Sequence, residues 1–180
     1  MKELKRNERL IGISSMINGF DSILIRVSYG CALDPPHPIV ALTLISNKWK
    51  AEIIETKYYS SDHNIRKKGN CSEDSVDSAS KTIKSVVPAS GWQSFISKLF
   101  ALQILSLPSL EKIPDFKDID GSVIDGCGIR VQVATRRIYR VYQYANPVLF
   151  ADKYPEAKKA LAIGALLRTE FGIKKQWPKD

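Results

Sequence analysis

Residues 128–147, GIRVQVATRRIYRVYQYANP, most constrain what this chain can fold into. Two runs rich in β-branched and aromatic residues flank Arg136-Arg137, so the stretch reads as a β-hairpin closed by that two-residue turn and ended by Pro147. In this register Ile129, Val131 and Val133 share a face with Tyr142 and Tyr144. Arg130, Gln132 and Gln143 fall on the other, as a sheet with one wet side requires. A one-residue slip would bury two glutamines and an arginine, so the register is specified by the faces themselves.

The rest of the chain supplies partners for that hairpin. In FDSILIRVSYG, Ile23, Ile25, Val27 and Tyr29 alternate with Ser22, Arg26 and Ser28, which predicts a half-buried strand. A second hairpin reads from PIVALTLISNKWKAEIIETKYY, with Asn47-Lys48 as its turn, because asparagine tolerates positive φ. Val40, Leu42, Leu44, Trp49, Ala51 and Ile53 then gather on one face, with Thr43, Lys50, Glu52 and Thr56 on the other. Ser90 caps a predicted helix over 91–107, stopped by Pro108, with Trp92, Phe95, Ile96, Leu99 and Leu102 as its apolar stripe. DGSVIDGCG suggests a short strand with a tight turn. A final helix starts at Pro155, carries Ala157, Ala160, Leu161, Gly164, Leu167 and Phe171 at helical spacing, and ends at Gly172. Residues 60–89 are rich in serine and charge with little to bury, and read as a long polar surface loop, with a short helix around 75–86 as the alternative. Residues 1–19 read as an N-terminal tail.

These elements predict one α+β domain over residues 1–180: an antiparallel sheet of β-hairpins with two helices packed on one face, in a β-β-β-α pseudo-repeat. A chain of this length buries roughly 70% of its unfolded surface, and 44% hydrophobic content suffices for that without metal or disulfide staples. The net charge of +8 invites a nucleic-acid reading, but the 27 basic residues are spread along the chain with no dense tract beyond Arg66-Lys67-Lys68. No apolar run approaches the ~20 residues of a membrane-spanning helix. The three cysteines, Cys31, Cys71 and Cys127, form no C-x-x-C pair; this argues against a disulfide scaffold and a zinc ribbon and leaves room for one bridge between any two of them. At the start, LIGISSMI after four basic residues is too short and serine-interrupted for an export signal. The sequence as written therefore reads as cytoplasmic, and as exported or envelope-located if that start is trimmed or misassigned.

FDSILIRVSYG, the hairpin around NKWKAEI, the helix SGWQSFISKLFALQILSLP, the pair DG and YRVYQYANP, and PEAKKALAIGALLRTEFG together resemble a group of bacterial α+β proteins with no assigned activity, often exported or lipid-anchored. The resemblance spans about residues 20–172 without the 60–89 loop. It implies a fold pattern, and together with the absence of a convincing catalytic set in the sequence it motivates the expectation of a non-catalytic binding or structural protein of envelope type, with a protein or envelope component as partner. It supplies no catalytic site and no cofactor.

Read residue by residue, three constellations carry chemistry. Glu55 and Lys57, two apart on a strand, with Asp34 earlier in the chain, resemble the metal-binding core of restriction-endonuclease-like nucleases, where carboxylates hold a divalent cation and the lysine supports the attacking water. The plain alternative is a rim ion pair, and hairpins are not the mixed sheet such a nuclease needs. Cys31, His37, His63, Cys71 and Cys127 have zinc-ligand chemistry but match no compact zinc spacing. Tyr139, Tyr142 and Tyr144 interleave with Arg136, Arg137 and Arg140 as the aromatic and cationic groups of a single-stranded nucleic-acid platform do; against that, Tyr142 and Tyr144 fall on the core side of the hairpin, which leaves Arg136, Arg137 and Tyr139 as the surface-binding set.

Overall fold

A computed structural model describes residues 13–17, 19–31, 38–59, 78–116 and 126–173. Six strands form one antiparallel sheet: β1 (Ile23–Cys31), β2 (Ile39–Ile45), β3 (Lys48–Tyr59), β4 (Ser78–Val86), β5 (Cys127–Thr135) and β6 (Tyr139–Ala145), in the spatial order β4-β3-β2-β1-β5-β6. Helix α1 (Trp92–Ala101) follows β4; the short α2 (Pro147–Phe150) and the long α3 (Pro155–Phe171) follow β6. The fold is α+β.

The central hairpin has the register its faces demanded. Ile129 pairs with Tyr144 and Val131 with Tyr142, which leaves Arg136-Arg137 as the turn. Across the sheet the inner face is continuous: Ile25, Val27, Tyr29, Val40, Leu42, Ala51, Ile129, Val131, Val133, Tyr142 and Tyr144 are buried together with Phe95 and Leu99 of α1 and Ala157, Ala160, Ile163, Leu167 and Phe171 of α3. Gly172 stops α3 in the left-handed region, φ 63°.

The β2–β3 turn is Ser46-Asn47, one residue earlier than Asn47-Lys48. Both residues have positive φ, 49° and 60°, the conformation a two-residue turn needs to match the twist of its strands. Moving the turn by one residue shifts the pairing by two, so Leu42 faces Ala51 instead of Ile53, and the inner and outer sets are unchanged.

The structure differs from the sequence expectations at further points. Ser78–Val86 is neither loop nor helix but the edge strand β4, paired with β3 from Ala51↔Val86 to Tyr59↔Ser78. Its polar SASKTIKSV shows no apolar alternation because Ser80 to Ser85 are exposed on both faces; lysines are what an edge strand tolerates. Among the described residues four strands therefore precede α1, one more than the pseudo-repeat predicts, and two follow it; the short strand read in DGSVIDGCG falls mostly on residues 120–125, which lie outside the described residues. Helix α1 ends at Ala101, six residues before the predicted stop, and Gln103 takes a left-handed turn, φ 61°. Its N-cap is Gly91, while Ser90 bonds elsewhere. The outer face, finally, is not uniformly wet. Met16 lies on it at 1% exposure, packed with Leu24 and Ala134 and flanked by Phe20 and Tyr139. Arg26 and Gln132 are buried there too, and the Arg26 Nη2 donates to the Ser14 carbonyl at 2.7 Å. Met16 and Ser14 thus pack as part of the fold, although 1–19 reads as a tail.

Candidate functional site

Because β2 and β5 flank β1 antiparallel on either side, one end of the sheet gathers the start of β1, the β2–β3 turn and the β5–β6 turn. Gly19, Phe20, Asp21, Ser22, Ile45, Ser46 and Arg136 line an open cleft of about 790 Å³ there. Its wall is pinned by backbone. The Phe20 N–H donates to the Thr135 carbonyl at 3.0 Å, and Gly19 has φ 84° with so little room that a Cβ would lie 2.9 Å from that same oxygen. Only glycine satisfies both demands.

At the turn itself, the Thr135 hydroxyl oxygen accepts from the Ile138 N–H at 3.2 Å and, at 3.4 Å, from that of Arg137. This holds the turn and leaves Arg136 and Arg137 exposed. Of the three residues read as a surface-binding set, Arg136 lines the cleft, Arg137 stands beside it, and Tyr139 is half-buried against the Met16 cluster, where it packs. The cleft can offer a cation, a carboxylate at Asp21 and a hydroxyl at Ser22 to a polar surface.

The residues with nuclease chemistry stand apart from this cleft. Glu55 and Lys57 lie on one side of β3, opposite Thr82 and Ser80 of β4, and both are exposed. Asp34 lies outside the described residues. Among the described residues every strand pairing is antiparallel. Among the described residues no cluster of three histidine, cysteine or acidic side chains could hold a metal ion. His37, His63 and Cys71 also lie outside them. Cys31 and Cys127 are directly opposed on β1 and β5 and form a disulfide, so they are not available as zinc thiolates.

The buried polar groups hold the chain together. The Tyr142 hydroxyl donates to the Ile104 carbonyl at 2.8 Å and that of Tyr144 to the Pro108 carbonyl at 2.7 Å. Arg140 donates from Nη1 to the Leu105 carbonyl at 2.7 Å and from Nη2 to that of Leu107. Burial raises both phenols above the ordinary tyrosine range. Tyr144 adds to the effect at Tyr142, and Glu156 and Glu111 add to it at Tyr144; Arg140 opposes it at each. They therefore stay protonated and act as donors. Glu170 of α3, buried, accepts from both the N–H and the hydroxyl of Ser90, at 2.8 and 2.7 Å, with Lys98 Nζ 3.5 Å away. Burial alone would raise its pKa, but the Ser90 bonds and the Lys98 charge outweigh it and the net shift is downward.

Sequence reasoning missed the Ser90–Glu170 tie and the choice of cysteine partners. Glu170 sits on the apolar side of α3, one residue from Phe171, and that position was the only signal available. Among the described residues no helix is long and apolar enough to cross a membrane. No family model, curated protein or solved structure matches this chain.

Proposed function

We propose that this is a non-catalytic binding or structural protein of the bacterial envelope type, recognising a protein or envelope component through the turn-end cleft around Arg136. The observation that carries the reading is the Cys31–Cys127 disulfide. Such bonds persist in oxidising compartments and are rare in reducing cytosol. The resemblance to exported or lipid-anchored α+β proteins points the same way. Three of the perturbed titratable groups among the described residues, Tyr142, Tyr144 and Glu170, are each committed to a long-range hydrogen bond, which suits a scaffold more than a reaction centre. Fractionation of the cell of origin, with thiol counting on the recovered protein, tests the proposal. The expected result is an extracytoplasmic protein with one titratable thiol. Recovery from the cytosol with three free thiols would overturn it.

A second reading, electrostatic nucleic-acid binding, is favoured by the exposure of Arg136 and Arg137 at one turn. Counterion release makes such binding fall steeply with salt. A flat response between low and physiological salt rules it out, as does unchanged affinity in R136Q/R137Q. The metal-dependent nuclease reading through Asp34, Glu55 and Lys57 requires chelator-sensitive DNA cleavage that Glu55→Ala or Lys57→Ala abolishes.

A further inference from the structure

At the opposite end of the sheet, beside the disulfide, a trough of about 390 Å³ crosses three strands. Its shape follows from strand alternation. On the outer face, Ser28 pairs with Arg130 and Arg130 with Gln143, giving one polar row from β1 to β6. Two residues further along each strand, Gly30 pairs with Gly128 and Gly128 with Ala145. That second row carries one methyl group in place of three side chains, so the backbone is bare. Between the rows run Tyr29, Ile129 and Tyr144, whose side chains point inward and are buried. The Cys31–Cys127 bond ties β1 to β5 at the trough's end. The floor is thus held from beneath and from one end.

The polar row is rich in donors. Arg130 Nε donates to Gln143 Oε1 at 3.3 Å, which occupies the amide oxygen and leaves the Gln143 –NH₂ to donate outward. Ser28 contributes a hydroxyl. A guanidinium, an amide –NH₂ and a hydroxyl in line above a side-chain-free floor match a planar acceptor carrying negative charge. Guanidinium pairs with carboxylate oxygens two at a time. Among the described residues that line the trough, none is acidic.

We propose that this trough is a binding site for the carboxylate group of a small organic acid or of a peptide C-terminus, with Arg130 as the anion-pairing residue and Gln143 as the residue that orients it. This goes beyond the reading of the turn-end cleft and does not depend on it. Arg130 is exposed, so a single carboxylate binds weakly, with Kd on the order of 1 mM.

The test is an NMR titration of the oxidised, full-length protein with benzoate, with N-acetyl-alanyl-alanine, and with the C-terminal amide of that dipeptide. Saturable shifts are expected at the backbone amides of Gly30, Gly128, Gln143 and Ala145 with the carboxylates and not with the amide. Saturation by benzoate alone identifies small acids as the source; saturation by the dipeptide identifies chain termini. R130Q should weaken binding about tenfold, ~1.4 kcal/mol, and R130K should recover only part of it. A145W, which fills the trough from an exposed edge position, should abolish binding while the thermal midpoint holds; R136Q should leave it unchanged. The proposal falls if no carboxylate saturates, if the amide binds equally, or if R130Q and wild type bind alike.

Discussion

The hydroxyl of Ser90 and the carboxylate of Glu170, eighty residues apart in the chain, lie 2.7 Å from each other. The bond is doubled by the Ser90 N–H to the other carboxylate oxygen, and Ala89 N–H donates to the Glu170 carbonyl at 2.9 Å. Together they fasten the connection between β4 and α1 to the last turn of α3. The carboxylate's folded pKa lies below its ordinary value, so its ionised form is favoured by folding. That stability is present in full above the ordinary glutamate pKa of ~4.3 and is lost as pH falls through the lower folded value. Denaturant melts of wild type and Glu170→Gln across that range should converge at the acid end and separate above it, wild type being the more stable.

Tyr142→Phe removes the donor for the Ile104 carbonyl while keeping the ring. Ile104 is buried, and its carbonyl has no helical donor, because residue 108 is a proline and lacks the N–H. The expected cost is about 1–3 kcal/mol in equilibrium unfolding. Ile138→Ala, at an exposed position on the same hairpin, should change stability by less than ~0.5 kcal/mol.

Reducing the Cys31–Cys127 bond opens a closure between residues 96 apart in sequence. The Cys31→Ala/Cys127→Ala double variant should lose about 2–5 kcal/mol relative to the oxidised protein. Cys71→Ala should abolish the remaining thiol titre. Equal melting of oxidised and reduced protein would contradict the pairing.

The Ser46-Asn47 turn runs with both residues at positive φ, where asparagine followed by glycine is the favoured pair. Ser46→Asn with Asn47→Gly should raise stability by about 0.5–1 kcal/mol. Lys48→Gly separates the two registers by thermal midpoint: it would favour a turn at Asn47-Lys48, but here it removes a side chain from a strand position paired with Ile45 and should lower the midpoint.

Much of the sheet was legible because strand faces follow a period of two. Ile129, Val131, Tyr142 and Tyr144 could share a core only in one register, and a turn misplaced by one residue at Asn47 did not disturb the faces of β2 and β3. Edge strand β4 was illegible for the converse reason: exposed along both faces, it carries no alternation, and its partner β3 supplies the order. The early end of α1 was hidden in the same way. Nothing within 91–107 predicts a break at Ala101, and the carbonyls freed beyond it are taken up by Arg140, Tyr142 and Tyr144, 33 to 38 residues further along. Arg136 was legible as an exposed turn cation; the cleft around it, built from Gly19 to Ser22 and Ile45 to Ser46, was not.

Taken by itself, the order of residues determined which side of each inner strand is apolar, where α3 begins and ends, and the α+β class, since these depend on neighbours two to four positions away. Tertiary structure alone decided that Cys31 meets Cys127, that Glu170 meets Ser90, and that Gly30, Gly128 and Ala145 line up into one bare row. Each of those depends on which strand or helix lies beside which, and pairing between distant segments is set by packing of the whole sheet, not by any local pattern.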